Sequence, residues 1–273
     1  MSRWLLLTAV FISVPPWLRA QDIRKISVPL PVNLERADLH VWRTDYQPAA
    51  VVVLCPGFNG NGGDLLRDEQ WRAFAREHRL GLAGLSFASN PELFRLGRGY
   101  YYASQGSGDA LLACVQKAYG KKLPLLLYGF SGGAHFTARF AEWQPARVTA
   151  WCAYSAAWWD EPQPDNHAAP GIVACGADDE RYQTSLEYYQ RGRRLGNRWA
   201  WVALPRTGHQ PSAALERFAR EYFAAILQQK TAADGVWLDR RGQIADDGRR
   251  ARDPQWSWLP AADLSAAWRA LQE

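Results

Sequence analysis

Cysteine is scarce in this 273-residue chain, and the few it has form no motif. Cys55, Cys114, Cys152 and Cys175 include no Cys-x-x-Cys pair and no cluster with metal-ligand spacing, which argues against a dithiol redox centre or a cysteine-held zinc. Cys55, Cys152 and Cys175 lie at or near the ends of apolar runs, where the residue serves as a small buried hydrophobe. One structural disulfide stays equally open, because the chain carries an export-like start. An excess of one charge is also missing: 32 Lys and Arg stand against 27 Asp and Glu, a formal +5. The basic groups are scattered, apart from Arg191, Arg193 and Arg194 and the group Arg249, Arg250 and Arg252. Both runs read as solvated surface, so no nucleic-acid partner is expected. There is no internal repeat, no coiled-coil seam and no glycine loop ending in Lys-Ser or Lys-Thr that would cradle a nucleotide phosphate.

Long apolar runs are confined to the N-terminus. Arg3 supplies a basic start, Trp4 to Val14 an apolar stretch, and Leu18-Arg19-Ala20 an imperfect cleavage site before Gln21. Residues 1–20 are therefore expected to be an export signal, leaving a secreted or periplasmic protein. The stretch is short and broken by Pro15 and Pro16, and no cysteine follows to carry a lipid, so no stable membrane span is expected after cleavage.

What remains alternates strand and helix. Ile26 to Leu30 and Asp38 to Trp42 form an opening antiparallel pair, and Ala50 to Leu54 is a strong strand. Leu65 to Glu77 is helical in composition, and Leu80 to Phe87 is a strand weakened by Gly81 and Gly84. A helix over Gly108 to Tyr119 leads to the strand Leu123 to Tyr128, and a further helix runs over Ala134 to Glu142. Strands at Val148 to Cys152, Gly171 to Cys175 and Trp199 to Leu204 follow, with a helical crossover over Thr184 to Arg194. A last helix lies within Pro211 to Gln229, Pro211 suiting its first turn. This order predicts an α/β fold, a mostly parallel central sheet with helices on both faces, over residues 21–229. Residues 230–273 form an extension, either flexible or docked through Trp256, Trp258 and Leu259.

Chemistry is concentrated in Gly129-Phe130-Ser131-Gly132-Gly133, a Gly-x-Ser-x-Gly string between a strand and a helix. That context makes it a nucleophile elbow, in which a side chain at Gly129 or Gly133 would crowd the turn. A serine hydroxyl needs an imidazole to take its proton, and only five histidines compete. His209 follows the last strong strand and precedes the final helix, which places it at the reactive edge of the sheet. His40 belongs to the opening strand, His78 to a helix end on the far side, and His135 sits one turn after Ser131, suited to packing or pocket contact; His167 is a loop competitor. For the carboxylate that orients the base, Asp179 leads in Gly176-Ala177-Asp178-Asp179-Glu180, with Asp178 as the alternative acid and Glu180 behind. Negative charge on a tetrahedral intermediate needs donors. Gly132 supplies one N–H, and the loop Cys55 to Gly60 a second, from Phe58 or alternatively Asn59.

Together these residues resemble the α/β-hydrolase superfamily, in particular dienelactone hydrolases and polyhydroxyalkanoate depolymerase-like bacterial esterases, over about Val41 to Gln228. Cys55-Pro56-Gly57 stands where many relatives carry His-Gly, which keeps the turn but changes its support. The resemblance implies a serine esterase with Ser131 as nucleophile, Asp179 as acid, His209 as base and Phe58 and Gly132 as oxyanion donors. It implies no metal and no organic cofactor, and a small-molecule or polymeric ester as substrate. A serine peptidase or amidase and a noncatalytic binding protein on the same fold are the alternatives. Candidate pocket residues are Asn59, Tyr100 and Tyr101 on one side and Trp158 and Trp159 on another, part of an aromatic load that includes 14 tryptophans. Such rings favour aromatic or medium acyl groups, while Arg95 and Arg98 are placed either to meet a substrate carboxylate or simply to face water.

Overall fold

The structure, a computed structural model, describes residues 22–164, 168–229, 235–245 and 252–273. The signal-like segment 1–20, His167, Arg249 and Arg250 lie outside these residues. Eight strands make the main sheet, in the order β1-β2-β4-β3-β5-β6-β7-β8. β1 (Ile23–Ser27) and β2 (Arg36–Trp42) are an antiparallel pair at one edge, and β2 meets β4 (Gly81–Ala88) antiparallel. From β4 onward, through β3 (Val51–Cys55), β5 (Leu125–Phe130), β6 (Val148–Tyr154), β7 (Gly171–Gly176) and β8 (Trp199–Leu204), every pairing is parallel. The expected fold class is the observed one.

Alternation along the strands explains the two layers. Val51, Val53, Leu125 and Leu127 face one core, while Val52, Leu54, Leu126 and Tyr128 face the other. The first core is closed by α4 (Ser107–Tyr119), α5 (Gly132–Trp143) and α6 (Tyr182–Arg194); the second by α2 (Glu69–Glu77) and α7 (Ala213–Gln228). Both faces are therefore buried, which is why the central strands read as continuous apolar runs. β3 has β4 on one side and β5 on the other, so the chain order reverses there. The loops leaving the carboxyl ends of β3 and β5 flank the crevice that this reversal opens.

Several boundaries differ from the sequence expectation for local reasons. The helix expected over residues 65–77 is split into α1 (Gly62–Leu65) and α2, because Asp68 turns out of the helix and its carboxylate caps the amides of Gln70 and Trp71. Gly84 is no defect in β4: an added Cβ there would lie 2.0 Å from the Gly62 carbonyl oxygen, so α1 rests directly on the strand backbone. Pro211 lies outside α7, whose first turn is capped by the Ser212 hydroxyl on the Leu215 amide. A short helix α3 (Glu92–Arg95) follows β4 and was not expected.

The described part of the extension is docked rather than free. β9 (Val236–Leu238) pairs with β10 (Ile244–Ala245) and β11 (Ser257–Leu259), and α8 (Leu264–Ala270) follows. Leu238, Trp258, Leu259, Leu264 and Trp268 join the second core. These residues cover the open edge of the sheet: the Ser257 hydroxyl accepts from the Trp201 amide at 3.0 Å, and the Trp268 indole donates to the Trp201 carbonyl at 2.9 Å. The same segment removes Arg193 from the solvated surface assigned to it from sequence. Arg193 is fully buried, donating to the Trp256 carbonyl and lying 4.1 Å from the centroid of the Trp237 ring. All four cysteines are free and buried. Trp268→Ala should cost about 3–5 kcal/mol, from lost burial and an uncovered strand edge, read as a lower urea midpoint.

Candidate active site

Ser131 sits at the first position beyond β5, held at φ 53° and ψ −116°, a left-handed conformation costly for any residue with a side chain. Its amide donates to the Tyr154 carbonyl at 2.9 Å, which ties the turn to β6. The flanking glycines are required by contact. A Cβ on Gly129 would lie 2.3 Å from the Gly133 carbonyl oxygen, and one on Gly133 would lie 2.0 Å from that of Cys55. The helix therefore starts in backbone contact with the end of β3.

The Ser131 hydroxyl donates to His209 Nε2 at 2.9 Å, and His209 Nδ1 lies 2.8 Å from Asp179 Oδ2. Asp179 comes from the turn after β7, where its other oxygen accepts from the Arg181 amide at 3.1 Å and the Arg181 guanidinium at 3.0 Å. Burial by itself would raise this carboxyl's pKa, but the bonds from His209, Arg181 and the Ser155 hydroxyl outweigh it and hold the value at about 2. An ionised Asp179 must accept, so His209 carries its proton on Nδ1 and presents a bare Nε2 to the serine. The loop bearing the histidine is fixed on both flanks. The Asp178 amide donates to the Thr207 carbonyl, the Tyr154 hydroxyl donates to the Gln210 carbonyl at 2.6 Å, and Phe130 stacks on the imidazole at 4.9 Å.

Asp178, the alternative acid, is exposed, as is Glu180, which pairs with Arg181 at the surface. Which of the neighbouring carboxylates turns inward is set by the tight turn after β7, in which the Asp179 amide donates to the Gly176 carbonyl. No periodicity in the sequence carries that information. Arg181 and Ser155 were missed as supports; the first was visible only as a base two residues after the acid.

The loop after β3 meets the elbow directly. A Cβ on Gly132 would stand 2.7 Å from the Phe58 amide nitrogen, so the two backbone N–H groups named as donors are neighbours. Gly132 opens α5 and has no carbonyl one turn earlier to satisfy its amide. Asn59 is excluded as the alternate donor, because its amide is spent on the Tyr100 hydroxyl at 3.2 Å. Its side chain is also occupied, exchanging bonds with both backbone groups of Ser89. Arg36 braces the loop from behind through the Asn59 and Gly60 carbonyls.

A cleft of about 740 Å³ opens over Ser131, walled by Phe58, Phe94, Tyr101, His135 and Trp158, with Glu92, Arg95, Glu180 and Arg181 on its lining. Two of the expected tyrosine and tryptophan walls differ. Tyr100 is buried behind the loop that carries Phe58, and Trp159 turns away to stack on Tyr188 at 4.2 Å. Asn59 also lies off the lining, for the hydrogen-bonding reason above, and Arg98 is not part of it. The short helix α3 supplies Phe94 and Arg95 to the lining. His40 and His78 are remote from the cleft, on β2 and at the end of α2. Among the described residues, no group of three or more His, Cys, Asp or Glu is placed to hold a metal, and no helix is long and apolar enough to cross a membrane.

No family model matches the sequence, and no curated protein matches it. Solved structures do resemble the fold. An esterase of the hyperthermophilic archaeon Pyrobaculum calidifontis superposes with a TM-score of 0.56 at 13% identity, covering 77% of this chain and 88% of its own. The fluorophosphonate-binding serine hydrolase F of Staphylococcus aureus gives 0.55 at 14% identity, covering 76% and 98%. A poly(3-hydroxybutyrate) depolymerase of Bordetella parapertussis gives 0.54 at 17%, covering 85% and 96%. At such identities the likeness is one of architecture, and that architecture is the α/β-hydrolase fold.

Two outcomes are expected. Gly133→Ala should destabilise the protein by about 3 kcal/mol or more in denaturant titration, because its methyl group meets a backbone carbonyl that has no room to yield. Asp179 has a folded pKa below the ~3.9 of an unfolded aspartate, so its bonds stabilise the fold above that pH and are lost as pH falls toward about 2. Arg181→Met raises the folded value and should move the acid-unfolding midpoint upward, followed by circular dichroism.

Proposed function

We propose that this chain, built on the α/β-hydrolase fold, is a serine hydrolase that cleaves carboxylic esters through an acyl-enzyme. The observation that carries the reading is the continuous relay from Ser131 through His209 to a buried, ionised Asp179, at 2.9 and 2.8 Å. A surface serine and a loop histidine meeting by chance would not be expected on a strained elbow with two backbone amides beside it.

The chemistry follows from the atoms. His209 Nε2 takes the Ser131 proton as Oγ attacks the ester carbonyl, and the imidazolium so formed is stabilised by Asp179. Negative charge moves onto the carbonyl oxygen, where the Phe58 and Gly132 amides donate to it. Collapse breaks the bond to the alcohol oxygen, which receives the proton from His209. A water molecule, deprotonated by the same nitrogen, then attacks the acyl carbonyl and returns Ser131 to its resting state. None of these steps calls on a metal or an organic cofactor.

Export completes the proposal. Residues 1–20 direct the protein out of the cytoplasm and are removed, which N-terminal sequencing of protein recovered from the periplasm or medium tests.

Ser131→Ala should lower ester turnover by at least ~10³-fold with the fold intact, and a fluorophosphonate probe should label Ser131 alone, mapped by mass spectrometry. Full turnover in the purified variant would reject the nucleophile. Asp179→Asn should cost roughly 10³- to 10⁴-fold, while Asp178→Asn stays within about two-fold. Aryl esters assayed beside aminoacyl amides separate esterase from amidase or peptidase.

A further inference from the structure

His135 has no part in the relay, yet it is a buried polar side chain 4% exposed on the lining of the cleft, one turn beyond the nucleophile. Both ring nitrogens are committed to the backbone of the loop after β6. Nδ1 lies 3.0 Å from the Trp158 carbonyl oxygen, and Nε2 lies 3.1 Å from the Ala157 amide nitrogen. A carbonyl only accepts and an amide N–H only donates, so the ring is neutral, with its proton on Nδ1. The Arg139 guanidinium, 3.3 Å from Nδ1, faces it donor to donor and disfavours a second proton. Burial, then Arg139, Arg181 and His209, push the imidazole down to about 3, against the bond to Trp158.

The same ring is the middle member of an aromatic stack. It lies 4.5 Å from Tyr101 at 16° and 5.3 Å from Trp158 at 30°. Trp158 is 57% exposed and has little packing of its own to hold it, so its place depends on its backbone. That backbone is clamped by one stripe of α5. His135 takes residues 157 and 158; Arg139, one turn on, holds Asp160 with bonds of 2.9 to 3.1 Å; Glu142, a further turn on, accepts from the Gln163 amide at 2.7 Å. The helix that begins at the nucleophile thereby also sets the distance between Ser131 and the Trp158 wall.

We propose that His135 is a positioning residue which, by holding the Ala157–Trp158 backbone and stacking between Tyr101 and Trp158, builds a subsite for a neutral planar aromatic acyl group beside Ser131. The inference rests on the esterase reading above. Tyr101, His135 and Trp158, with Phe58 and Phe94, make the walls aromatic, which offset and edge-on ring contacts satisfy. The charged lining is balanced, Glu92 and Glu180 against Arg95 and Arg181, and Arg181 is already bonded to Asp179 and Glu180. Nothing there demands a charged substrate.

The test compares kcat/KM for methyl 2-naphthoate and methyl butanoate in the full chain, following how their ratio changes from wild type to variant so that intrinsic ester reactivity cancels. His135→Phe keeps a ring and loses both hydrogen bonds; His135→Gln retains one donor and one acceptor. The naphthoate-to-butanoate ratio should fall about ten-fold in His135→Phe and in Trp158→Ala, recover partly in His135→Gln, and fall no further when His135→Phe is added to Trp158→Ala. A ratio unchanged in both single variants, or fully additive losses, would overturn the assignment. Should His135→Phe fail to fold, Trp158→Ala at its exposed position decides, an unchanged ratio there refuting the subsite. Failure of the esterase reading is distinguishable, because wild type would then turn over neither ester, whereas failure of the subsite alone leaves ester turnover in wild type intact.

Discussion

The backbone contact between the start of α5 and the end of β3 is the constraint on which the site depends. Gly133 packs against the Cys55 carbonyl and Gly132 against the Phe58 amide, with no room for a side chain at either position. That closeness forces the chain through the left-handed turn at Ser131, which in turn lifts the hydroxyl above the strand ends. The strain is small against the packing around it, since β3, β5 and α5 are buried on every side. It also brings two amides side by side without any side chain being recruited for the purpose.

Around this fixed point the protein uses rigid supports rather than long reach. Asp179, Arg181 and Ser155 hold one end of the relay, while Tyr154 and Phe130 hold the loop of His209. α5 serves twice, following directly on the elbow at Ser131 and clamping the wall of the cleft with His135, Arg139 and Glu142 along its length. Far from the cleft, the C-terminal segment covers the β8 edge with Ser257 and Trp268, leaving the Trp201 backbone no unpaired group to offer another chain. The edge formed by β1 is guarded differently, by a short strand with charged residues such as Arg24 and Lys25.

Much of the architecture could be read from the chain because it depends on short-range patterns. Apolar runs located the central strands within two residues, and the strand-to-helix context of Gly129 to Gly133 marked the elbow. Errors arose where a contact distant in sequence overrode a local pattern. Arg193 looked like part of a basic surface run until Trp237 and Trp256 closed over it. Tyr100 and Trp159 had the composition of pocket walls, but the first is needed behind the loop of Phe58 and the second packs on Tyr188.

By itself, the sequence determined the alternation of strands and helices, the identity of the elbow serine and the short field of histidines, because residue type, spacing and glycine placement act within one or two turns of chain. Only the tertiary structure decided which carboxylate faces His209, whether the described part of the C-terminal extension docks, and that His135 is locked to the wall of the cleft. Each of those outcomes turns on the direction of a side chain relative to residues twenty or more positions away, and no local periodicity encodes direction across a fold.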